Sequence, residues 1–269
     1  RITEAGLYSF ADLALGEDYT VQPVYDPSVN LANVSTGDLI TLSRHILGLA
    51  EMTNAYQLLA GDVTQDNNIN VVDIIAIRRV ILGLDNSFSA TNSWRFYTDN
   101  GAEVFNVNNL NGNVTDASFA AIEMGNVNAL FGARASLGLN IADQAIEAGN
   151  VYEVAVSSAE MAGFQGTLEL AAGLELVDVR FEGNNTAFNL NAAANGLIAV
   201  SHVGGADAFT LEVRATVSGK LSELLSVSDR MTTAEAYNAE GAAHNLNLNF
   251  TAGEATGTAF ELGQNSPNP

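Results

Sequence analysis

The sequence contains no cysteine, which excludes disulfide bonds and thiolate metal sites. Basic side chains are also few: 10 Lys and Arg residues stand against 31 Asp and Glu residues, and the formal net charge is −21. A surface this acidic repels phosphate backbones and anionic lipids, so nucleic acids and membrane surfaces are poor partners. No apolar run approaches the ~20 residues of a membrane-spanning helix, so we expect no membrane insertion. The acidic surface suits cations, and plain solubility in salty surroundings explains it equally well.

The composition nevertheless supports a folded core, because 47% of the 269 residues are hydrophobic. The length corresponds to about two domains of ~150 residues each. The chain begins at Arg1 without a signal-like stretch, and we expect it to be an internal part of a longer precursor. A small secreted domain without disulfides often uses another staple, and a bound metal ion is one.

Residues 1–24 contain two short alternating patterns, "YSF" and "YTV", which a turn at residues 16–18 separates. These patterns predict two antiparallel strands, and two strands alone are not stable. We therefore expect residues 1–24 to be the terminal strands of a β-sandwich. The other strands of that sheet are expected upstream of Arg1 or in another subunit.

Residues 25–90 contain two helical patterns that repeat each other, "TGDLITLSRHILGL" and "VVDIIAIRRVILGL". The repeat spacing is 35 residues, and it aligns Asp38 with Asp73 and Arg44 with Arg79. Each pattern has apolar residues at helical spacing and ends in a Leu-Gly-Leu step, where glycine supplies a left-handed cap. Neither helix buries its apolar stripe alone, so we expect a duplicated loop–helix module whose two helices pack together.

The rest of the chain predicts β structure. Residues 91–134 are a connecting segment with one predicted strand, "SWRFYTD". Residues 135–258 hold six short alternating runs, which predict a β-sandwich: "VYEVAVSSA", "GFQGTLEL", "LELVDVRF", "GLIAVSHVG", "FTLEVRATVSG" and "HNLNLNF". Residues 259–269 carry two prolines and no periodicity, and we expect them to begin a linker. The predicted fold class is mainly β with a small α module.

The loop before the second helix has the ligand spacing of an EF-hand-like calcium loop. Counting from Asp62, oxygen-bearing residues occupy positions 1, 3, 5, 7, 9 and 12, and the predicted ligands are Asp62, Thr64, Asp66, Asn68, Asn70 and Asp73. Asn68 would contribute its backbone carbonyl. Asn67 takes position 6, where glycine is usual, because asparagine tolerates the left-handed conformation. The alternative is a solvated turn of Asp and Asn residues without an ion.

The first repeat departs from this pattern. Positions 1, 3 and 5, counted back from Asp38, lack side-chain oxygens and are Pro27, Val29 and Leu31. Other oxygen-bearing side chains lie nearby, namely Asp26, Asn30, Asn33 and Ser35. Whether the first repeat, from Asp26 to Asp38, binds calcium therefore stays open at this point.

The paired loop–helix units resemble a type I dockerin, the duplicated calcium module of cellulosome assembly. Three segments are similar to a dockerin-like block in large surface and secreted proteins of bacteria that use type IX secretion: "VSTGDLITLSRHILGL", "SWRFYTDNGAEVFNVNNL" and "FAAIEMGNVN". The resemblance covers residues 26–130, and it implies Ca²⁺ as the bound ion. Members have more acidic residues before the first "VST", and they commonly read Gly-Asp-Val-Asn where this chain has Gly125-Asn126-Val127-Asn128.

The flanking segments carry three further resemblances. "GLYSFADLALGEDYTVQP" resembles the last strands of prealbumin-like repeats in such surface proteins. "AGFQGTLELAAGLELVDVRF" resembles a cohesin-like sandwich, the partner fold of dockerins. "FELGQNSPNP" resembles the opening of a type IX C-terminal sorting domain, which implies a small β domain beyond Pro269. The alternative for this last segment is a Pro- and Asn-rich tail.

The sequence holds no Gly-x-Ser-x-Gly elbow, no His-Glu-x-x-His and no phosphate loop, so we expect no enzymatic activity. The expected function is a calcium-stabilised structural or adhesive module of a large cell-surface protein, secreted by the type IX route and assembling into a filament. Expected partners are neighbouring protein modules or copies of the chain, with surface polysaccharide as a further candidate. The alternative is a carbohydrate-binding or accessory region of a secreted glycoside hydrolase, in which Trp94 would stack on sugar.

Overall fold

Strands predominate in the computed structural model, which describes residues 2–3, 7–24, 31, 33–128, 136–158, 161–204 and 207–252. The strands are β1 Ile2–Thr3, β2 Leu7–Tyr8, β3 Tyr19–Val21, β4 Trp94–Tyr97, β5 Phe105–Val107, β6 Ala120–Glu123, β7 Ser136–Asp143, β8 Ala145–Ile146, β9 Val151–Ser157, β10 Gly163–Leu170, β11 Leu174–Arg180, β12 Thr186–Asn189, β13 Leu197–Val203, β14 Asp207–Ala215, β15 Gly219–Lys220, β16 Leu225–Ser228, β17 Glu235–Tyr237 and β18 Ala243–Ala252. The helices are α1 Thr36–Ile46, α2 Ala55–Gly61, α3 Val71–Ile81 and α4 Leu221–Leu224. The predicted fold class, mainly β with a small α module, is confirmed. Among the described residues, no helix is long and apolar enough to cross a membrane.

The two predicted helices of the duplication are present, and they are alike at both ends. α1 and α3 have 11 residues each. Each begins with a residue whose backbone N–H donates to the carboxylate three positions later, Ser35 to Asp38 at 2.8 Å and Asn70 to Asp73 at 3.0 Å. Two residues beyond the end of each helix lies a left-handed glycine, Gly48 with φ 66° and Gly83 with φ 64°. The predicted glycine caps are confirmed, and in both the next N–H reaches back to an arginine carbonyl at 2.9 Å.

The apolar stripes of α1 and α3 pack together as the sequence predicts. Leu39 and Leu42 of α1 and Ile77 and Ile81 of α3 are buried in one core. This core also takes up Val63, before α3, and Met124 and Val127, which follow β6. The short helix α2, capped at Asn54, was not predicted, because "AYQLLAG" is too short to show a helical period.

The β-sandwich is one ten-stranded sheet folded back on itself. The strand order is β11-β14-β9-β7-β18-β17-β10-β13-β12, and β16 also pairs with β10. Phe188 on β12 meets Phe209 on β14 edge to face, with ring centroids 5.0 Å apart, although these strands lie near opposite ends of the order. The sheet therefore closes over a core between two layers. The six predicted strands correspond to β9, β10, β11, β13, β14 and β18.

The first strands have partners within this chain, in two separate two-stranded sheets, and further strands outside the chain stay a prediction. β3 pairs antiparallel with β5, and β1 pairs with β2. β4, the predicted strand of the connecting segment, pairs with β6. Local alternation does not show such pairings, because β3 and β5 are more than 80 residues apart along the chain. The described residues do not include Asp26, Asn30 or the expected linker at 259–269.

The helical module docks on the sandwich through the first turns of α1. The N–H of Thr36 donates to Oε1 of Gln165 on β10 at 2.6 Å, and its hydroxyl lies 2.8 Å from that of Ser201 on β13. Gly163 lies beneath this turn, where an added Cβ would come within 2.6 Å of the His202 carbonyl oxygen and 3.1 Å of Ile40. Thr36 and Ile40 are buried as a result. A glycine on β10 is thus what lets the helix approach the sheet.

Gly163→Ala should destabilise the protein by roughly 1–3 kcal/mol, because the new methyl group must displace backbone and α1. Urea denaturation measures this change. Gly112→Ala is the matched control, since no atom lies within 4 Å of its added Cβ, and its effect should stay within about 0.5 kcal/mol. Equal effects of the two substitutions would show that α1 does not lie tightly on β10.

Candidate calcium loop and docking faces

The loop between α2 and α3 brings all six predicted ligands into one hydrogen-bonded turn. Asp62 accepts the backbone N–H groups of Asp66 at 3.1 Å and Asn67 at 2.9 Å. Asp66 accepts the N–H of Asn68 at 2.8 Å and the side-chain amide of Asn70 at 3.3 Å. The loop is therefore ordered around its carboxylates, which accept N–H groups of the loop itself.

Asp73 links this loop to the helix. Its Oδ1 accepts the N–H and the hydroxyl of Thr64 at 3.0 and 2.9 Å, and its Oδ2 accepts the N–H of Asn70. The side-chain oxygen of Asn70 caps α3 by accepting the N–H of Val72 at 2.8 Å. Asn67 is left-handed, with φ 65°, as expected, and Gln65 is left-handed as well, with φ 58°.

The charge of the loop is what fits a cation. Asp62, Asp66 and Asp73 lie within twelve residues, and among the described residues no Lys, Arg or His forms an ion pair with them. In the described part of the chain no three Asp, Glu, His or Cys side chains form a compact metal cluster. Calcium also accepts hydroxyl, amide and carbonyl oxygens, and this loop offers all three kinds. The residues present therefore suit Ca²⁺, and the site residues stay a prediction.

The first repeat holds its aspartate in a different way. Asp38 is fully buried, and its Oδ1 accepts the N–H groups of Val127 and Asn128, both at 2.7 Å. Its Oδ2 accepts the N–H of Ser35 at 2.8 Å and the hydroxyl of Ser35 at 3.3 Å. Nearby, the side-chain amides of Asn33 and Asn126 both donate to Oε2 of buried Glu123, at 2.9 and 3.0 Å.

Burial shifts the pKa values of Asp38, Tyr237 and Arg78. Burial raises the pKa of Asp38 to about 7, and the hydrogen bonds from Ser35, Asn128 and Val127 oppose the rise. Burial also raises the pKa of Tyr237, whose hydroxyl donates to Glu235 at 2.5 Å. Burial lowers the pKa of Arg78, which donates to the Asn184 carbonyl.

Equivalent faces of α1 and α3 differ in exposure, because one is buried and the other is exposed. On α1 this face is Thr36, Gly37 and Ile40, and it is buried against the sandwich, with Ile40 only 4% exposed. The equivalent residues of α3, 35 positions later, are Val71, Val72 and Ile75. They are exposed, with Ile75 at 52%. We refer to Val71, Val72 and Ile75 as the α3 face.

The α3 face makes α3 apolar on two sides. Its other side, which includes Ile77 and Ile81, is already buried in the module core. The sequence shows these residues, but it does not show which of the two repeats uses its face for docking. The one sequence difference that indicates the docked repeat is Thr36-Gly37 in place of Val71-Val72, since glycine permits a closer approach than valine.

One cleft lies beside the loop between α2 and α3. It has a volume of about 510 Å³, and its lining includes Trp94, Phe96, Gln22, Gln65 and Asn92. Trp94 also borders a second cavity of about 300 Å³. Within the described residues, the indole Nε1 of Trp94 is buried without a hydrogen-bond partner. Stacking of sugar on Trp94 stays a prediction.

No protein-family model matches the sequence, and the search of curated proteins gives no match. Among solved structures, a cohesin module from a Clostridium perfringens family 33 glycoside hydrolase has 13% identity and a TM-score of 0.28 over 43% of this chain and 98% of its own. A non-cellulosomal cohesin from Archaeoglobus fulgidus has 16% identity and a TM-score of 0.30 over 43% and 90%. The major pilin SpaD of Corynebacterium diphtheriae has 12% identity and a TM-score of 0.25 over 60% and 44%. Similarities at these levels indicate nothing about ligand or partner.

The raised pKa of Asp38 predicts a pH-dependent stability. The folded chain holds this proton more tightly than the unfolded chain, in which the pKa is about 3.9. The contribution of protonated Asp38 to the free energy of unfolding is therefore present below about pH 4 and is lost as the pH rises through about 7. The free energy of unfolding of the wild type, relative to Asp38→Asn, should fall between about pH 5 and pH 8 in urea denaturation. The free energy of unfolding of Asp99→Asn, which changes an exposed aspartate, should depend on pH as that of the wild type does. The prediction is contradicted if Asp38→Asn also shows the pH dependence of the wild type.

Proposed function

We propose that this chain is a non-enzymatic, extracellular interaction module that joins β-sandwiches. One face of its helical pair is fixed to its own sandwich, and the α3 face binds a β-sandwich outside the chain. The observation that carries the proposal is the contrast between the two equivalent faces: Thr36, Gly37 and Ile40 are buried on a sheet, whereas Val71, Val72 and Ile75 are exposed.

The internal docking shows what kind of surface such a face fits. The α1 face lies on β10 and β13, where Gly163 permits close approach and Gln165 and Ser201 bond to the first turn. Because α1 and α3 share length, caps and register, we expect the α3 face to fit a sheet as well, with Val71 and Val72 in place of Thr36 and Gly37. Full burial of one Val or Ile side chain contributes about 1.5–3 kcal/mol, so covering these half-exposed residues would supply part of the binding free energy.

An arginine accompanies each face. Arg44 on α1 donates to the backbone carbonyls of Ala239 and Glu240 in the loop after β17. Its equivalent, Arg79, is exposed and forms an ion pair with Asp85. We expect Arg79 to reach carbonyl groups of the partner sandwich in the same way.

The loop from Asp62 to Asp73 is proposed to bind one Ca²⁺. Six oxygen-bearing residues at calcium-loop spacing and three carboxylates without an ion-pair partner in the described structure support this. When bound, the ion would neutralise the carboxylates and fix the first turn of α3. That turn carries Val71 and Val72, so the loop would position the α3 face.

The sequence resemblances extend this proposal to a cellular setting. They support a large surface protein exported by type IX secretion, in which calcium-stiffened modules are joined in series, as an adhesive or filament. In a second copy of this chain the β10–β13 surface is already covered by its own α1, as the described residues show. The partner is therefore proposed to be a neighbouring sandwich module with an uncovered face.

Calcium should raise the melting temperature of the whole chain by several degrees relative to chelator. A ligand at about one hundred times its Kd stabilises the folded state by about 2.7 kcal/mol, and calorimetry detects such a shift. Asp66→Ala should abolish the calcium effect, because Asp66 is an exposed residue of the loop whose bonds lie within the loop. Ser35→Ala, in the first repeat, should retain it. An unchanged melting curve in chelator would rule out the calcium proposal.

Docking through the α3 face can be tested with a substitution that releases α1 from the β10–β13 surface. Ile40→Asp places a charge in the α1 interface, and the exposed α3 face of another copy should then occupy the freed β10–β13 surface. In calcium, sedimentation velocity should show association of the Ile40→Asp chain, whereas the wild type should stay monomeric.

Two double variants control this experiment. Ile40→Asp combined with Ile75→Asp should stay monomeric. Ile40→Asp combined with Val177→Asp should associate, because Val177 is 45% exposed but lies on β11, away from the helices. Equal association of both double variants would indicate nonspecific stickiness and would refute the docking assignment.

A further inference from the structure

We infer that residues 125–128 take the place of a calcium ion in the first repeat, so that calcium controls the α3 face and leaves the α1 joint unaffected. This inference rests on the proposed calcium site of the second repeat and deepens it. It also departs from the resemblance to a duplicated calcium module, which implies an ion in each repeat.

Two similar tetrapeptides hold the two helix starts. Gly61-Asp62-Val63-Thr64 precedes α3 in sequence, and the N–H of Thr64 donates to Oδ1 of Asp73. Gly125-Asn126-Val127-Asn128 lies about 90 residues after α1, and the N–H of Asn128 donates to Oδ1 of Asp38. The N–H of Gly125 donates to the Ala60 carbonyl at 2.7 Å, so the two segments lie side by side.

The carboxylate of the first repeat is buried and hydrogen-bonded, as Asp73 is in the second, but the positions aligned with Asp62 and Asp66 carry no carboxylate. Both oxygens of Asp38 are occupied by two donors each, three backbone N–H groups and one hydroxyl. A cation at Asp38 would have to displace these donors from a fully buried group. Gly37 lies against the same segment, since an added Cβ would come within 2.7 Å of the Asn128 amide and of the Tyr237 ring.

The remaining calcium positions of the first repeat have lost their charge. Position 5, which is Asp66 in the second repeat, is Leu31, and it packs against the module core. Asn126 stands where the second tetrapeptide has Asp62, and its amide donates to Glu123 instead of leaving an oxygen pair free. A single hydrogen-bonded carboxyl group has no neighbouring carboxylate to repel it, whereas three carboxylates in one loop repel each other and favour a cation.

The consequence is a division of roles between the two repeats. The α1 joint to the sandwich is closed by polypeptide alone, and it should persist when calcium is removed. The α3 face depends on a loop with three carboxylates, so docking to an outside sandwich should be lost in chelator.

Counting the calcium bound to the whole chain tests this inference. Equilibrium dialysis followed by elemental mass spectrometry should give one ion for the wild type, one for Asp38→Ala and none for Asp73→Ala. Asp38→Ala should lower the melting temperature equally with calcium and with chelator, because the donors that it orphans are not calcium-dependent. If Asp38→Ala does not fold, Ser35→Ala takes its place, with one ion retained and a smaller, equally calcium-independent loss.

Two ions in the wild type, or loss of an ion from Asp38→Ala or Ser35→Ala, would overturn the inference. So would association of the Ile40→Asp chain that persists in chelator. No ion in the wild type would refute the proposed calcium site and its control of the α3 face. The polypeptide clamp would still be supported by an equal loss of stability of Asp38→Ala in both media.

Discussion

The buried carboxylate of Asp38 is the interaction on which the arrangement of the whole chain depends. It accepts the N–H of Ser35 at the start of α1 and those of Val127 and Asn128 after β6. The adjoining Thr36 bonds to β10 and β13. Asp38 therefore joins the start of α1 to the segment after β6, and the adjacent Thr36 joins the same helix turn to the sandwich. An uncompensated charge at this depth is costly, so each of these donors is required and the three parts are held together.

Charge also explains why two nearly identical repeats have different surroundings. At the positions of Asp62 and Asp66 the first repeat has Pro27 and Leu31, and its first helical turn is buried against a sheet. The second repeat keeps three carboxylates in one loop, of which Asp66 is exposed, Asp62 is partly exposed and Asp73 is buried. Its equivalent face stays exposed and apolar. A duplicated unit thus provides one fixed joint and one free docking face.

Local signals predicted the parts of the fold that local interactions determine. The 35-residue repeat, the capping residues and the Leu-Gly-Leu steps located both helices, and alternation located six sandwich strands. The pairing of β3 with β5 and the docking of α1 on β10 were not predictable, because they join residues more than 80 positions apart. The loop residues from Asp62 to Asp73 were predictable because they are consecutive. The role of Asn128 was not, although the likeness of "GNVN" to "GDVT" was a readable sign of it.

Amide hydrogen exchange, followed residue by residue with calcium and with chelator, tests the central claim most directly. The claim is that polypeptide holds the first repeat and calcium holds the second. The account predicts that the amides of Ser35, Val127 and Asn128 keep their protection in chelator, because their acceptor is Asp38. The amides of Thr64, Asn67 and Asn70 should lose protection when the loop is released. Loss of protection in both groups, or in neither, would contradict the account.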